Sequence, residues 1–257
     1  MRSKLAIQAR ALTTIALSFL FTFFTSTVSS EQLDYYVVEG LTEPFQISDP
    51  DATQKGFITE VVEALAAKLN IELVTHVAPS PRIELLLKDE SKTNWIAYDS
   101  PAWKSIPMGV PLSTPLLSVT HSAVHCGHRH DFANRIQGHS FAVLKHFRYP
   151  GLSRLAKEGD IELVPTKSYE QGFQLVDLKR VDGFIEMDSR LRYKLNNATP
   201  PPTCREISSI GDAEPAYDLV LMVSQSMKAK RRAQLDNALQ QLSDNGLLQQ
   251  LLEKYTN

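Results

Sequence analysis

Apolar residues at Phe57, Val61, Ala64, Leu65 and Leu69 recur on one face of a 3.6-residue period, which predicts a helix that Asn70 ends. The apolar run Leu33 to Val38 before it and the run Ile71 to Val77 after it have strand length, so the chain opens as a strand-loop-helix-strand unit. Ser80-Pro81 then offers a capping hydroxyl and an early helical proline, with Ile83, Leu86 and Leu87 continuing an apolar face to about Lys88. A short strand, Trp95 to Tyr98, follows. Pro101, Pro107, Pro111 and Pro115 exclude a regular helix in the next stretch, which leads into an extended run from Leu116 to Val124.

The alternation resumes in the second half. Strands are expected at Ser140 to Leu144, Ile161 to Val164 and Val181 to Glu186, separated by helices near Gly151 to Glu158 and from Tyr169 to Lys179. Ser168 and Gln171 have the spacing of a capping box, in which each side chain satisfies an otherwise unpaired backbone N–H. After the proline-rich loop Asn196 to Pro202, a strand is expected at Asp218 to Val223. Ser226 should cap a long helix reaching Asn245-Gly246, and a last helix should run from Leu247 to Tyr255. Strands alternating with helices imply an α/β fold with largely parallel sheets covered on both faces. The two groups of elements suggest lobe one at residues 31–120, lobe two at 121–209, and a return to lobe one at 210–257.

The first thirty residues differ from the rest. Arg2, Lys4 and Arg10 precede an uncharged apolar run from Ala11 to Phe24, and Val28-Ser29-Ser30 supplies small residues before Glu31. This reads as a cleavable signal peptide, with an uncleaved anchor as the alternative. Its removal takes the chain from 27 basic and 29 acidic residues to 24 and 29, from a formal charge of −2 to −5. Nucleic acid is a poor partner for such a surface, and the basic run Lys228 to Arg232 reads as a solvated helix face. Two cysteines in an exported chain, Cys126 and Cys204, favour one disulfide, with two buried thiols as the alternative.

Several short motifs, in order, resemble the periplasmic solute-binding proteins of the family-3 amino-acid-binding type. They are Glu43-Pro44-Phe45, the stretch from Gly56 and Phe57 to Leu69, Leu112 to Leu116, Arg180-Val181-Asp182-Gly183-Phe184, and Leu242 to Leu247. The resemblance covers essentially the whole mature chain. It implies a two-lobed, type II periplasmic-binding-protein fold with the ligand cleft at the hinge, and a monomer in the periplasm that captures a small polar ligand by hinge closure. An inner-membrane permease or a sensor kinase would be its partner, with no cofactor and no resident metal. Where the family carries an arginine that grips the ligand carboxylate, this chain has Lys104, a point charge without a planar fork. Where the family holds the ligand ammonium with an aspartate, this chain has Met187 between Glu186 and Asp188. The family's anion-binding turn in lobe two corresponds to His146-Phe147-Arg148-Tyr149, where backbone N–H groups before a helix would face an anion and Arg148 would supply a fork.

The candidate ligand-binding set is therefore Phe45, Arg82, Tyr98, Asp99, Lys104, Arg148, Tyr149, Glu186 and Asp188. Each has a plainer alternative: Phe45 as lobe packing, Tyr98 and Asp99 as a solvated turn, and Arg82, Lys104 and Arg148 as surface ion pairs. The expected ligand is anionic or amino-acid-like. Six of seven histidines fall between 121 and 146, and in His125-Cys126-Gly127-His128-Arg129-His130 an extended segment puts His128 and His130 on one face, as a surface zinc or copper site needs, but no fixed ligand spacing is met and Cys126 is better used in a disulfide. The enzyme alternative is a cyclohexadienyl- or arogenate-dehydratase-like activity with Glu186 as general acid, and a non-catalytic binding role is the expectation.

Overall fold

The computed structural model describes residues 31–127 and 131–256. The expected signal peptide lies outside the described residues, as do His128 and His130. Lobe one is built on a five-stranded sheet of order β2-β1-β3-β10-β4, with β1 Gln32–Val38, β2 Glu72–Ala78, β3 Trp95–Asp99, β4 Gly109–Val119 and β10 Tyr217–Ser224. Lobe two has order β7-β6-β8-β5-β9, with β5 His121–His125, β6 Ser140–Leu144, β7 Glu162–Thr166, β8 Gly183–Met187 and β9 Glu206–Ser209. The sheets are mixed. In lobe one β1 runs parallel to β2 and β3, while β10 is antiparallel to β3 and β4; in lobe two β6 runs parallel to β7 and β8, while β5 is antiparallel to β8 and β9.

Helix α1, Phe57–Lys68, buries Phe57, Ile58, Val61, Val62, Leu65 and Ala66 against lobe one, and Asn70 takes the left-handed conformation just beyond it. Gly56 precedes α1 at φ 96°, where a Cβ would meet the Phe45 carbonyl oxygen at 2.6 Å, so only glycine fits this close approach. Helices α6, Ala229–Asp244, and α7, Leu247–Thr256, return to pack on α1, and the three share one core with the strands of lobe one. Helix α2, Ser80–Leu86, covers the other face, over Trp95, Tyr36 and Met222. In lobe two, α3, Pro150–Glu158, lies over one face; α4, Tyr169–Asp177, and α5, Asp188–Asn197, lie over the other.

Several expectations need correction. The extended run 116–124 is two strands in different sheets, broken at Thr120, which is the first crossing between lobes. Strand β4 begins at Gly109, inside the proline-rich stretch. It is an edge strand, and Pro111 and Pro115 sit opposite Met222 and Val220 where the register shifts, so the ladder tolerates their missing N–H. Pro79, not a serine hydroxyl, precedes α2, and α6 begins after Lys228, not Ser226. Ser168 does cap α4: the Gln171 N–H donates to its hydroxyl at 3.3 Å, while the Gln171 side chain accepts from the Lys167 N–H. Arg231, read as part of a solvated face, is buried and stands 3.5 Å from Glu31.

The disulfide Cys126–Cys204 is formed and ties the end of β5 to the approach to edge strand β9. No helix among the described residues is long and apolar enough to cross a membrane.

Candidate functional site

In open α/β sheets the carboxyl ends of parallel strands leave the crevice where ligands sit. Here the ends of β1, β3 and β8 and the turn after β6 converge on one partly open cavity of about 60 Å³ between the lobes. Lobe one contributes Tyr98 and Asp99 from the end of β3, Trp103 and Ser105 from the loop beyond it, and Glu84 from α2. Lobe two contributes Phe147, Arg148 and Tyr149 from the turn before α3, and Glu186 and Met187 from the end of β8. Arg148 reaches across and donates to Glu84 at 2.9 Å, an ion pair that bridges the two lobes beside the cavity. A larger open groove of about 820 Å³ lies between the loop around Glu43 to Gln54 and helices α4 and α5, but no strand end opens into it.

Below the cavity is a buried ion pair. Arg190 on α5 is fully buried and lies 3.3 Å from Glu186, with its guanidinium 4.6 Å above the Phe147 ring. Glu186 is engaged on both oxygens: one accepts from the Tyr149 hydroxyl at 3.0 Å, the other from the Met187 N–H at 2.8 Å. Arg190 also donates to the Leu41 carbonyl of lobe one, which accepts from the Tyr169 hydroxyl at 3.3 Å as well. Leu41 presents that carbonyl from the left-handed region, at φ 64°, a conformation costing about 1 kcal/mol or more for a side chain of this kind. Burial works against the Arg190 charge, but Glu186 and the surrounding phenols outweigh it and hold the guanidinium protonated.

The phenols and the imidazole beside this pair are neutral. Burial holds the phenols of Tyr98 and Tyr149 above their ordinary range, Tyr98 to about 12. His121, at the start of β5, is pushed down to about 3 by burial and by Arg190, and its imidazole lies 3.4 Å from the Tyr217 hydroxyl. Asp99 is 2 % exposed and accepts from the Ser105 hydroxyl at 2.6 Å. Burial raises its carboxyl pKa, while Ser105 and the Ser100 and Ile106 N–H groups pull in the other direction.

No protein-family model matches the chain, and no curated protein matches it in sequence. Solved structures do match. The GluR0 ligand-binding core in complex with L-glutamate superimposes with a TM-score of 0.70 at 11 % identity, covering 90 % of this chain and 100 % of that one. A histidine kinase sensor domain with similarity to periplasmic binding proteins gives 0.69 at 15 %, covering 88 % and 96 %. The ancestral amino acid-binding protein AncCDT-1, a precursor of cyclohexadienyl dehydratase, gives 0.67 at 16 %, covering 88 % and 95 %. The fold is that of the periplasmic binding proteins.

Within this binding-protein fold the residues expected at the ligand divide into two groups. Tyr98, Asp99, Arg148, Tyr149 and Glu186 line the cavity between the lobes. Phe45 does not reach it: it is fully buried in the core of lobe one, because the turn after Pro44 folds inward beneath Gly56. Lys104 is exposed and turned away by a left-handed backbone at φ 53°, and Arg82 is exposed on α2; neither is on the cavity wall. Asp188 begins α5 and is held by Ser122 at 2.7 Å and by Arg192 at 2.7 Å, so Glu186 and not Asp188 faces the cavity.

The turn His146 to Tyr149, whose N–H groups were expected to face an anion, leads into a helix start whose own N–H groups are occupied. Glu214, in the second crossing between lobes, accepts from the Leu152 N–H at 2.9 Å and also from Gly151 at the start of α3. Gly151 has no room for a Cβ, which would lie 2.2 Å from the Ala213 carbonyl oxygen, so the crossing segment is seated on the helix end.

Sequence reasoning missed Trp103, Glu84, Arg190 and His121. Trp103 carried a signal, as an aromatic in the loop after a strand end; Arg190 carried none, since it stands among charged neighbours in Asp188 to Lys194. His125 hydrogen-bonds Ser208 at 2.9 Å and packs edge-on against Phe132.

Proposed function

We propose that the protein is a periplasmic solute-binding protein that holds one small polar ligand between its lobes and closes over it. The observation that carries this reading is the cavity at the carboxyl strand ends, walled by both lobes and bridged by Arg148 and Glu84. A ligand shifts an open–closed equilibrium only by its differential affinity for the two states, and a ligand in this cavity touches both lobes only when they are closed. The closed protein then presents a shape that an inner-membrane permease or a sensor kinase recognises. The likeness to a histidine kinase sensor domain and to the substrate-binding protein of an amino acid ABC transporter is compatible with either partner.

A binding role accounts for Glu186 better than acid catalysis does. Both of its oxygens are committed within the protein, to Tyr149 and to Met187, and Arg190 neutralises it, so it is built as a wall and not as a proton donor. The expected outcome is no turnover of prephenate or arogenate by the purified protein; turnover abolished in Glu186→Gln would replace this reading with a dehydratase.

The direct test is a thermal-shift screen of the purified protein against small polar solutes, followed by small-angle scattering with any hit. A solute at one hundred times its Kd should stabilise by about 2.7 kcal/mol, and the scattering should report a more compact particle. A stabilising solute that leaves the particle dimensions unchanged would show a site outside the cleft.

A further inference from the structure

The charges around the cavity are unbalanced, and the imbalance has one sign. Three carboxylates line it, Glu84, Asp99 and Glu186, against one arginine, Arg148. Arg148 is paired with Glu84, and Glu186 is paired from below with Arg190. Asp99 is the remainder, with neutral donors only: the Ser105 hydroxyl and the N–H groups of Ser100 and Ile106. An anionic ligand would meet this carboxylate where the one arginine on the wall is already paired with Glu84, leaving His146 as the other basic side chain there. Lys104 is off the wall, and the N-terminus of α3 is filled by Glu214.

The rest of the wall is aromatic. Tyr98, Trp103, Phe147 and Tyr149 line the same space, and ring faces attract a desolvated cation. A volume of about 60 Å³ admits only a few heavy atoms, since one water-sized sphere takes roughly 10–15 Å³ on this measure. Resting on the binding reading above, the geometry points to a small organic ammonium compound without a carboxylate as the ligand, with Asp99 as its counter-ion and Tyr98, Trp103 and Tyr149 as its aromatic walls. Burial of Asp99 raises the free energy of its ionised form, and a bound cation offsets that directly.

The test is calorimetric titration of the purified protein with matched probes: methylammonium and ethanolamine on one side, acetate and glycine on the other, each repeated with Asp99→Asn. The expected result is that the amines bind, that acetate and glycine bind at least about tenfold more weakly, and that Asp99→Asn weakens the amines about ten- to hundredfold, the loss of one charge-assisted contact. Equal or tighter binding of acetate or glycine would overturn the ammonium assignment while leaving capture between the lobes in place. Amine affinity unchanged within about twofold in Asp99→Asn would also overturn it, by removing its counter-ion. Silence from all four probes together with a hit from another solute class in the wider screen overturns the ligand class alone; silence across both overturns ligand capture as well. Trp103→Ala, which leaves the Asp99 hydrogen bonds intact, provides a second variant with the same expected loss should Asp99→Asn fail to fold.

Discussion

Arg190 and Glu186 are the pair on which the inner wall of the cavity rests, and a buried pair is far more costly to break than to replace. Arg190→Met should destabilise the protein by about 3–5 kcal/mol in urea unfolding, because Glu186 would remain buried and unpaired. Adding Glu186→Leu should recover part of that loss, and a double variant no more stable than the single one would show that the pair is not the source of the cost. Two other buried groups respond to pH in opposite directions. His121 titrates near 3 in the folded protein against an ordinary value of 6.5, so its contribution is intact above pH 6.5 and is lost as pH falls toward 3, where the unfolded chain takes up the proton first. Glu214 titrates near 7 against 4.5, so its contribution is intact below pH 4.5 and is lost as pH rises through 7. The two windows overlap between 4.5 and 6.5, where the slopes oppose each other. Relative to the native chain, Glu214→Gln should gain stability as pH rises through 4.5–7, and His121→Asn should gain as pH falls below 6.5; difference curves with the same slope would contradict this. The site was legible at Tyr98, Asp99, Arg148 and Tyr149 because strand ends and a turn before a helix show in the sequence. Arg190 was not, since a burial that depends on a carboxylate four residues earlier and a carbonyl from the other lobe leaves no trace in local pattern.

At the scale of elements, hydrophobic periodicity located most helices and strands, and failed where packing between elements overrides it. Helix α5 has only Leu191 and Leu195 on an apolar face within a polar ten-residue stretch, and it is held in place by Arg190 and by its position after β8. Strand β4 was hidden by prolines that an interior strand would reject and an edge strand accepts. Strand β9 is four residues long and pairs only with β5, so its existence depends on a partner remote in sequence. The disulfide fixes that partner. Cys126 and Cys204 are 78 residues apart, and the chain-entropy model gives about 4.5 kcal/mol for a closure of that length. The Cys126→Ser and Cys204→Ser double variant should lose stability of that order in urea, with hydrogen exchange accelerating first in β9; uniform exchange across both lobes would mean that the bridge does not hold this edge.

For the molecule as a whole, closure is the step that couples ligand to partner, and it can be perturbed without touching the ligand. Lys194 of α5 stands 2.8 Å from Glu43 of lobe one, both side chains partly exposed, on the wall of the larger open groove and not of the smaller cavity. This ion pair bridges the lobes only when they are closed. Pairs of this kind contribute about 0.2–1 kcal/mol, so removing one lowers the closed fraction of the free protein by up to about fivefold. Because apparent affinity scales with the fraction of competent protein, Lys194→Ala should weaken ligand binding by that same factor while leaving the selectivity between probes unchanged. Glu43→Gln should give an equal loss, and the double variant should lose no more than either single one. An effect on selectivity, or additive losses, would mean that these residues reach the ligand themselves and that the cavity extends past the Leu41 contact in solution.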